Sequence, residues 1–289
     1  MPKLKPKIHH DFRADLHSHT HCSDGSLTPE ALVHLAVAAN LQGLSITDHD
    51  TVAAYKSALP LAHELGLKLL SGIELSAYHE SNSIHILGYG FDLQNTQLLD
   101  FCERLAQARI ERNRLILEKL ARCRFIISEN ELNTAYPNRI IGRPHIAEIM
   151  VKKGYVKDLK AAFLHYLGDK GRCKTTLQLL SVDEAIVLIH QAGGMAVLAH
   201  PHRMKNQKLV KKLLNGTEKF DGIETYYGLM PPHLEKPIIE LAQTHNLIMT
   251  GGSDFHGAFT PHLRLGCSFS TKPVFEQFYE LFTQNNKFF

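Results

Sequence analysis

At 289 residues the chain is long enough for one large α/β domain, or for a domain carrying an insertion. Its 44% hydrophobic and 21% charged residues describe a globular protein with a real core, and a net charge of +3 is too small to point to nucleic-acid binding by itself. No apolar run approaches membrane-spanning length, and five dispersed cysteines without a CxxC pair speak against a disulfide framework or a zinc ribbon. The N-terminal run MPKLKPKIHHD is basic and lacks the apolar segment of a secretory signal. A cytoplasmic protein is expected. The compositional anomaly is histidine, with 19 copies. Imidazole is the commonest transition-metal side-chain ligand, so clusters at strand ends are the place to look.

In chain order, the alternation of Phe12, Ala14 and Leu16 predicts a half-buried strand that runs into His17-x-His19, with Asp24 in the loop beyond. Residues two apart in an extended chain point the same way, so both imidazoles can address one point. Two histidines sharing the solvent face of a strand would look the same. Cys22, inside this segment, reads as a bystander. Thr28 and Pro29 suit the N-cap and first turn of a helix that Gly43 closes, and His34 falls within that helix. GLSIT (43–47) is a short strand ending in Asp48-His49-Asp50. Asp50 can cap the next helix, and Pro60 is expected to bend or split it. LKLLSGIEL predicts a third strand ending near Glu74, and SIHILGYG a fourth whose alternation puts His85 and Leu87 on one face.

From about Gln94 to Lys174 the character changes to charge-rich helical patterns without a convincing strand. One of them begins at Gly142-Arg143-Pro144 and ends at Gly154. Strands and helices then alternate again. Ser181–Glu184 is a capping box, MAVLA (195–199) runs into His200-Pro201-His202, and DGIET (221–225) ends near Glu224. LIMTGGSDFHG carries Asp254 and His256, and LGCSFS is a last possible strand. The expected organisation is a barrel in two parts, 1–95 and 176–289, with a helical insertion at 96–175.

His17, His19, Asp24, His49, Glu74, His85, His200, Asp254 and His256 all fall at or just beyond predicted strand ends. That is where α/β barrels build active sites. Nine ligands exceed what one zinc ion takes and suit two or three divalent ions, with Glu74 bridging a pair. Mixed nitrogen and oxygen donors favour manganese, zinc or iron over calcium or magnesium. Such ions can hold a hydroxide between them and neutralise charge on a phosphoryl oxygen. There is no GxSxG, no Walker loop and no Cys-x5-Arg signature to supply a protein nucleophile or phosphate loop.

At ADLHSHTHCSDG, SITDHD, GIELS, IHILGYG, LAHPHR and GGSDFHG, in that order, the sequence resembles the PHP (polymerase and histidinol phosphatase) family. Residues 142–147, GRPHIA, match the branch of nucleoside 3′,5′-bisphosphate phosphatases and TrpH-like 5′-to-3′ exoribonucleases. The resemblance implies an α/β fold, a distorted seven-stranded (β/α) barrel with a helical insertion domain, and a trinuclear centre. By family pattern His17, His19, Glu74 and Asp254 would hold one ion, Glu74, His85 and His200 a second, and Asp24, His49 and His256 a third. Asp48 would orient an imidazole. Arg143, His145 and Arg203 are candidates for phosphate recognition and His202 for protonating the leaving oxygen; Arg143 equally suits an ion pair with an acidic neighbour, and His202 a packed position under the loop. Lys170, Arg172 and Lys174 form a basic patch usable by a polyanion, though solvated surface charge is the default reading. GRCKTT stands where a Gly-Tyr-Val-Pro-like stretch is expected, and HPHR replaces a common HP-Gly/Leu-Arg; base and ribose contacts stay open there. The implied activity is hydrolysis of nucleoside 3′,5′-bisphosphates and of short 5′-phosphorylated RNA, with a nucleotide or short RNA as partner, no membrane, and no obligate protein partner. Histidinol-phosphate phosphatase, a non-catalytic metal-binding PHP module and a general nucleic-acid-binding protein are the rivals.

Overall fold

The computed structural model describes residues 12–286 apart from 81, 138, 169, 205 and 206; the basic N-terminal run lies outside the described residues. Eight strands form one sheet: β1 (Ala14–Asp15), β2 (Gly43–Ile46), β3 (Lys68–His79), β4 (Asn82–Tyr89), β5 (Leu180–Ser181), β6 (Met195–Leu198), β7 (Gly222–Tyr227) and β8 (Ile248–Gly252). Their order is β1-β2-β3-β4-β6-β7-β8, with β5 pairing beside β3. The segments after β1 and β8 meet through a parallel Ser18–Phe255 bridge and the Asp254 N–H donating to His17 O at 2.8 Å. The sheet therefore curls into a nearly closed seven-stranded barrel, as expected, with β5 as an eighth, two-residue appendage.

Around it run α1 (Pro29–Ala38), α2 (Tyr55–Glu64), α7 (Val182–Gln191), α8 (Gln207–Leu214), α9 (Pro232–Thr244) and α10 (Lys272–Asn285). Between β4 and β5 lie α3 (Thr96–Arg122), α4 (Glu129–Ala135), α5 (Arg143–Lys152), α6 (Leu159–Ala162) and a π turn at Phe163–Leu167. One apolar cluster of this segment draws Ile116 and Leu120 of α3 together with Ile146 and Met150 of α5, apart from the barrel. The first half of α3 instead packs Leu98, Phe101 and Leu105 into the cluster that covers the barrel. At the opposite end Phe275 and Phe278 of α10 fill the barrel floor against Ala14, Leu16 and Tyr89.

Several local expectations need correction. The first strand is buried on both faces, because Asp15 turns inward and accepts hydrogen bonds from Ser253 N and Oγ and from Gly266 N. Gly43 does not end α1; Asn40, at φ 56°, makes that turn, and Gly43 opens β2. A Cβ at Gly43 would lie 2.6 Å from the Phe275 ring. Asp50 does not cap α2, whose N-cap is Ala54, and α2 continues through Pro60 as one helix. LGCSFS adds only a single antiparallel bridge, Ser270 to Ala14. Most consequentially, β3 does not stop at Glu74. It runs on to His79 and folds back as β4, which pairs antiparallel with both β3 and β6. Glu74 and His85 are therefore mid-strand residues, and one strand of the barrel is reversed.

Candidate metal centre

His17 and His19 follow β1, Asp24 sits in the next loop, and His49 follows β2. His200 follows β6 and Asp254 and His256 follow β8. Together with Glu74 and His85, reached from inside the β3–β4 hairpin, all nine predicted side chains meet at one mouth of the barrel. Three of the turns that aim them hold non-glycine residues at positive φ: Asp50 at 56°, His200 at 29° and Asp254 at 52°. Such conformations cost free energy and collect at functional sites.

Three sets of ligand atoms lie close enough to share an ion: His17, His19, Glu74 and Asp254; His49, Glu74 and His85; and His19, Asp24, His49 and His256. In the first, Nε2 of His17 is 3.3 Å from Glu74 Oε2 and 3.2 Å from Asp254 Oδ1, and His19 Nε2 is 3.2 Å from each. These separations lie at the long end of the hydrogen-bond range. They match the edges of a coordination polyhedron with bonds of about 2.1 Å. Glu74 Oε1 faces His85 Nδ1 at 2.8 Å and His200 Nε2 at 3.0 Å, while its Oε2 is also 3.3 Å from His49 Nδ1. Glu74 is thus shared by two of these sets. His19 and His49 are nearer the neighbouring sets than the family pattern implies.

Both ring nitrogens of His19 and Nδ1 of His49 are buried without a hydrogen-bond partner. Orphaned buried polar atoms are costly unless something absent from the chain completes them. Burial by itself would lower the imidazoles and raise the carboxyl groups. At Glu74 the facing His49, His85 and His17 outweigh burial and hold the carboxyl well below its usual range. His19 loses basicity to burial but regains more from Asp254, Glu74 and Asp24, rising to about 10. His17 and His85 are raised as well, whereas at His49 burial prevails and basicity falls; the mixed nitrogen and oxygen donors fit divalent ions.

The supports were only partly readable. Glu224 was expected merely to end a strand, yet its Oε1 is 2.8 Å from His17 Nδ1 and its Oε2 accepts from His200 N at 2.7 Å. That contact leaves His17 Nε2 free to face the cluster. Asp48 does not orient an imidazole. It accepts from Thr20 N and Oγ1 and from Ser23 Oγ, holding the loop that carries Asp24. Asp50 accepts from Ser76 N at 2.7 Å, from Ser76 Oγ at 2.8 Å, and from Arg109 of α3. A glutamate at the end of a predicted strand was the available signal for Glu224; nothing marked Arg109 within a charge-rich helix.

Around the cluster, Arg203 directs Nη1 to Asp254 Oδ2 at 3.3 Å and to the Tyr227 hydroxyl, which itself donates to Asp254 Oδ2 at 2.5 Å. His202 packs against the Tyr227 ring with centroids 4.3 Å apart, and burial holds it down to about 4. Arg143 is the first residue of α5, and its Nη1 donates to Leu167 O at 3.2 Å. His145 is buried, and its Nδ1 accepts from the Gly142 N–H at 2.9 Å, so that side is spent on the helix start. Lys170, Arg172 and Lys174 follow the π turn, with Lys174 O accepting from Lys119.

The PHP domain family model matches residues 15–289, nearly the whole chain. The chain belongs to the PHP domain family. It is 34% identical over 257 residues to the 5′-3′ exoribonuclease Rnm of Escherichia coli (strain K12), covering 87% of each chain. It is 31% identical over 250 residues to the 3′,5′-nucleoside bisphosphate phosphatase of Chromobacterium violaceum, covering 84% of this chain and 86% of that one. A crystal structure from Bifidobacterium adolescentis assigned as a metal-dependent phosphoesterase superposes with a TM-score of 0.82 at 30% identity, over 93% of this chain and 96% of that one. This PHP protein is accordingly a metal-dependent phosphoric ester hydrolase. Among the described residues, no helix is long and apolar enough to cross a membrane.

Proposed function

We propose that this PHP protein hydrolyses nucleoside 3′,5′-bisphosphates, releasing the 3′-phosphate, and trims short 5′-phosphorylated RNA from its 5′ end. The two reactions share one chemistry. Each breaks a phosphorus–O3′ bond on a ribose that carries a 5′-phosphate, so a single 5′-phosphate clamp serves both. The observation that supports this reading is the shared carboxylate of Glu74 at the mouth of the barrel, with the arginine-bearing α5 in the helical segment 96–175.

In this reading two or three divalent ions, manganese, zinc or iron, would be held by His17, His19, Glu74 and Asp254, by Glu74, His85 and His200, and by Asp24, His49 and His256. When bound, they supply Lewis acidity to the phosphoryl oxygens and make water a competent nucleophile. The oxygen of water forms the new bond to phosphorus, the bond to O3′ breaks, and the proton that the water gives up is balanced by the one that the leaving oxygen gains. Arg203, anchored by Asp254 and Tyr227, faces the scissile phosphoryl group. His202, low in basicity and neutral at pH 7, offers an N–H to the leaving oxygen rather than an imidazolium. Arg143 takes the distal phosphate and His145 sets the start of the helix that carries it.

The test is phosphate release from adenosine 3′,5′-bisphosphate with manganese, beside a 5′-phosphorylated RNA pentamer and histidinol phosphate. Turnover of the bisphosphate or the RNA, lost in His17→Ala and Arg143→Ala, is the expected result. Activity on histidinol phosphate alone would replace this reading with the histidinol-phosphatase one.

A further inference from the structure

One part of the barrel rim leaves large apolar side chains in solvent beside the metal centre. Leu229, in the turn after β7, is 65% exposed, more than any other large apolar side chain among the described residues. Phe259, at the end of the short helical turn Gly257–Phe259 that follows His256, is 44% exposed. The backbone holds Leu229 out. Gly228 N donates to Gly252 O at 3.0 Å and Met230 N to Tyr227 O at 2.9 Å, Gly228 takes φ 45°, and Pro231 and Pro232 follow. The loop after β8 packs alongside, since a Cβ on Gly228 would lie 3.2 Å from Leu263 Cδ2. The two loops therefore form one surface, and exposed apolar surface of this kind commonly marks a binding face.

Position and charge decide what this surface meets. The helical segment 96–175 reaches the mouth on the side of β1 to β3, through Ile140 N to Cys22 O at 3.4 Å and through Arg109 to Asp50 and Ser76. In the ring order β1-β2-β3-β4-β6-β7-β8, the ends of β6 and β7 stand across the mouth from β2. On the bisphosphate and 5′-phosphate reading above, the 5′-phosphate of the first nucleotide lies toward α5 and the phosphate to be cleaved lies over the metal centre. The rest of an RNA chain must then continue away from the helical segment, over this rim. Residues 201–204, 228–236 and 257–264 carry Arg203, Lys236 and Arg264 against a single acid, Glu235. An aromatic ring with cations around it is how single-stranded nucleic acid is held, bases on the ring and backbone on the charges.

We propose that the rim formed by the loops after β7 and β8 is the docking surface for the second nucleotide of an RNA substrate, with Phe259 stacking its base and Leu229 forming the apolar edge. The proposal rests on the reading above for the direction of the RNA chain. A nucleoside 3′,5′-bisphosphate ends at the phosphate being cleaved and does not reach the rim, so this surface separates the two activities.

The experiment compares the manganese-loaded wild-type protein with Phe259→Ala, Phe259→Tyr and Leu229→Ala. Two quantities are read: the ratio of kcat/KM for a 5′-phosphorylated RNA pentamer over adenosine 3′,5′-bisphosphate, and the affinity for a labelled pentamer whose first linkage is a non-hydrolysable methylene phosphonate. Phe259→Ala is expected to lower both by about 10-fold, the scale of one lost stacking contact. Leu229→Ala should lower them less, and Phe259→Tyr should keep most of each. Removing the base of the second nucleotide should cost the wild type as much as Phe259→Ala does and cost that variant nothing more. If neither substrate is turned over but pentamer affinity still depends on Phe259 and on the second base, the surface stands and the substrate reading fails. Pentamer affinity indifferent to Phe259 and to the second base overturns the proposal, whether or not the bisphosphate is cleaved. So does a wild-type dimer that Leu229→Ala or Phe259→Ala turns into a monomer with RNA affinity unchanged, which would give the rim to a second copy of this chain. A Phe259→Ala protein that melts lower and binds every nucleotide less well also overturns it, because Phe259 would then serve the fold.

Discussion

Arg109 of α3 and Asp50 of the loop after β2, 59 positions apart, form an ion pair in which the carboxylate is fully buried and the arginine partly buried. Asp50 follows His49 directly, and it also accepts both polar groups of Ser76, two residues beyond Glu74. One arginine from the helical segment thus fixes the spacing of two predicted ligands.

Removing that arginine leaves Asp50 buried and unpaired. Arg109→Ala is expected to cost about 3 kcal/mol in stability, as breaking buried pairs does. It should also lower bound metal per chain. Denaturant unfolding and elemental analysis of the purified protein check both, and a variant that keeps its full metal content would refute the link to the site.

Glu224 is expected to matter for metal affinity without touching a metal. Its carboxylate sets the tautomer of His17 and fixes the His200 backbone. Glu224→Gln should weaken metal binding by about 10–100-fold, the range for outer partners of ligating histidines. Competition against a chromophoric chelator measures it. Equal affinity in both proteins would reduce Glu224 to packing.

Gly252 allows β8 to pass directly beneath the first ligand. A Cβ there would lie 2.4 Å from His17 Cβ and 2.5 Å from His17 N. Gly252→Ala is expected to destabilise the fold by about 1–3 kcal/mol, the scale of overpacking, and to displace His17. A lowered urea midpoint with reduced metal content is the expected pair of results. A normal midpoint would mean the backbone yields.

Away from the site, His190 at the end of α7 pairs with Asp221 at 2.8 Å, and this hydrogen bond raises its basicity. A raised histidine stabilises the folded state fully below its unfolded value of about 6.5, and the contribution disappears as pH rises through the folded value. The Tm difference between the wild type and His190→Gln should therefore be largest in mildly acidic buffer and fade above neutrality. It should also shrink with salt, because the pair is partly exposed. A difference growing with pH would mean that another group is responsible.

Much of this protein was legible before folding. His17 and His19 two apart, the Asp48-His49-Asp50 run and the Ser-Asp-Phe-His segment announce themselves because metal ligation needs particular residue types at strand ends, and strands declare themselves by local apolar runs. Thr28 and the Ser181–Glu184 box mark helix starts for the same local reason. The expectation that β3 ends near Glu74 failed because a strand's length and the direction of the strand that follows it are not written in its own alternation. Glu74 and His85 carry the same period whether their strand ends there or turns back at Glu80, where φ is 54°.

What the sequence by itself determined was which nine histidines and carboxylates would gather at one mouth of a barrel, a cluster that could bind metal ions. What only the tertiary structure decided was their support. Asp15, Asp48, Asp50 and Glu224 are acidic residues of the same kind as the ligands, and sequence cannot tell a carboxylate that faces an ion from one that holds a loop. Arg109 sits among many charges on one long helix, and only packing reveals that it is paired with Asp50. Burial and pairing depend on contacts between distant parts of the chain, and those exist only once the barrel has closed.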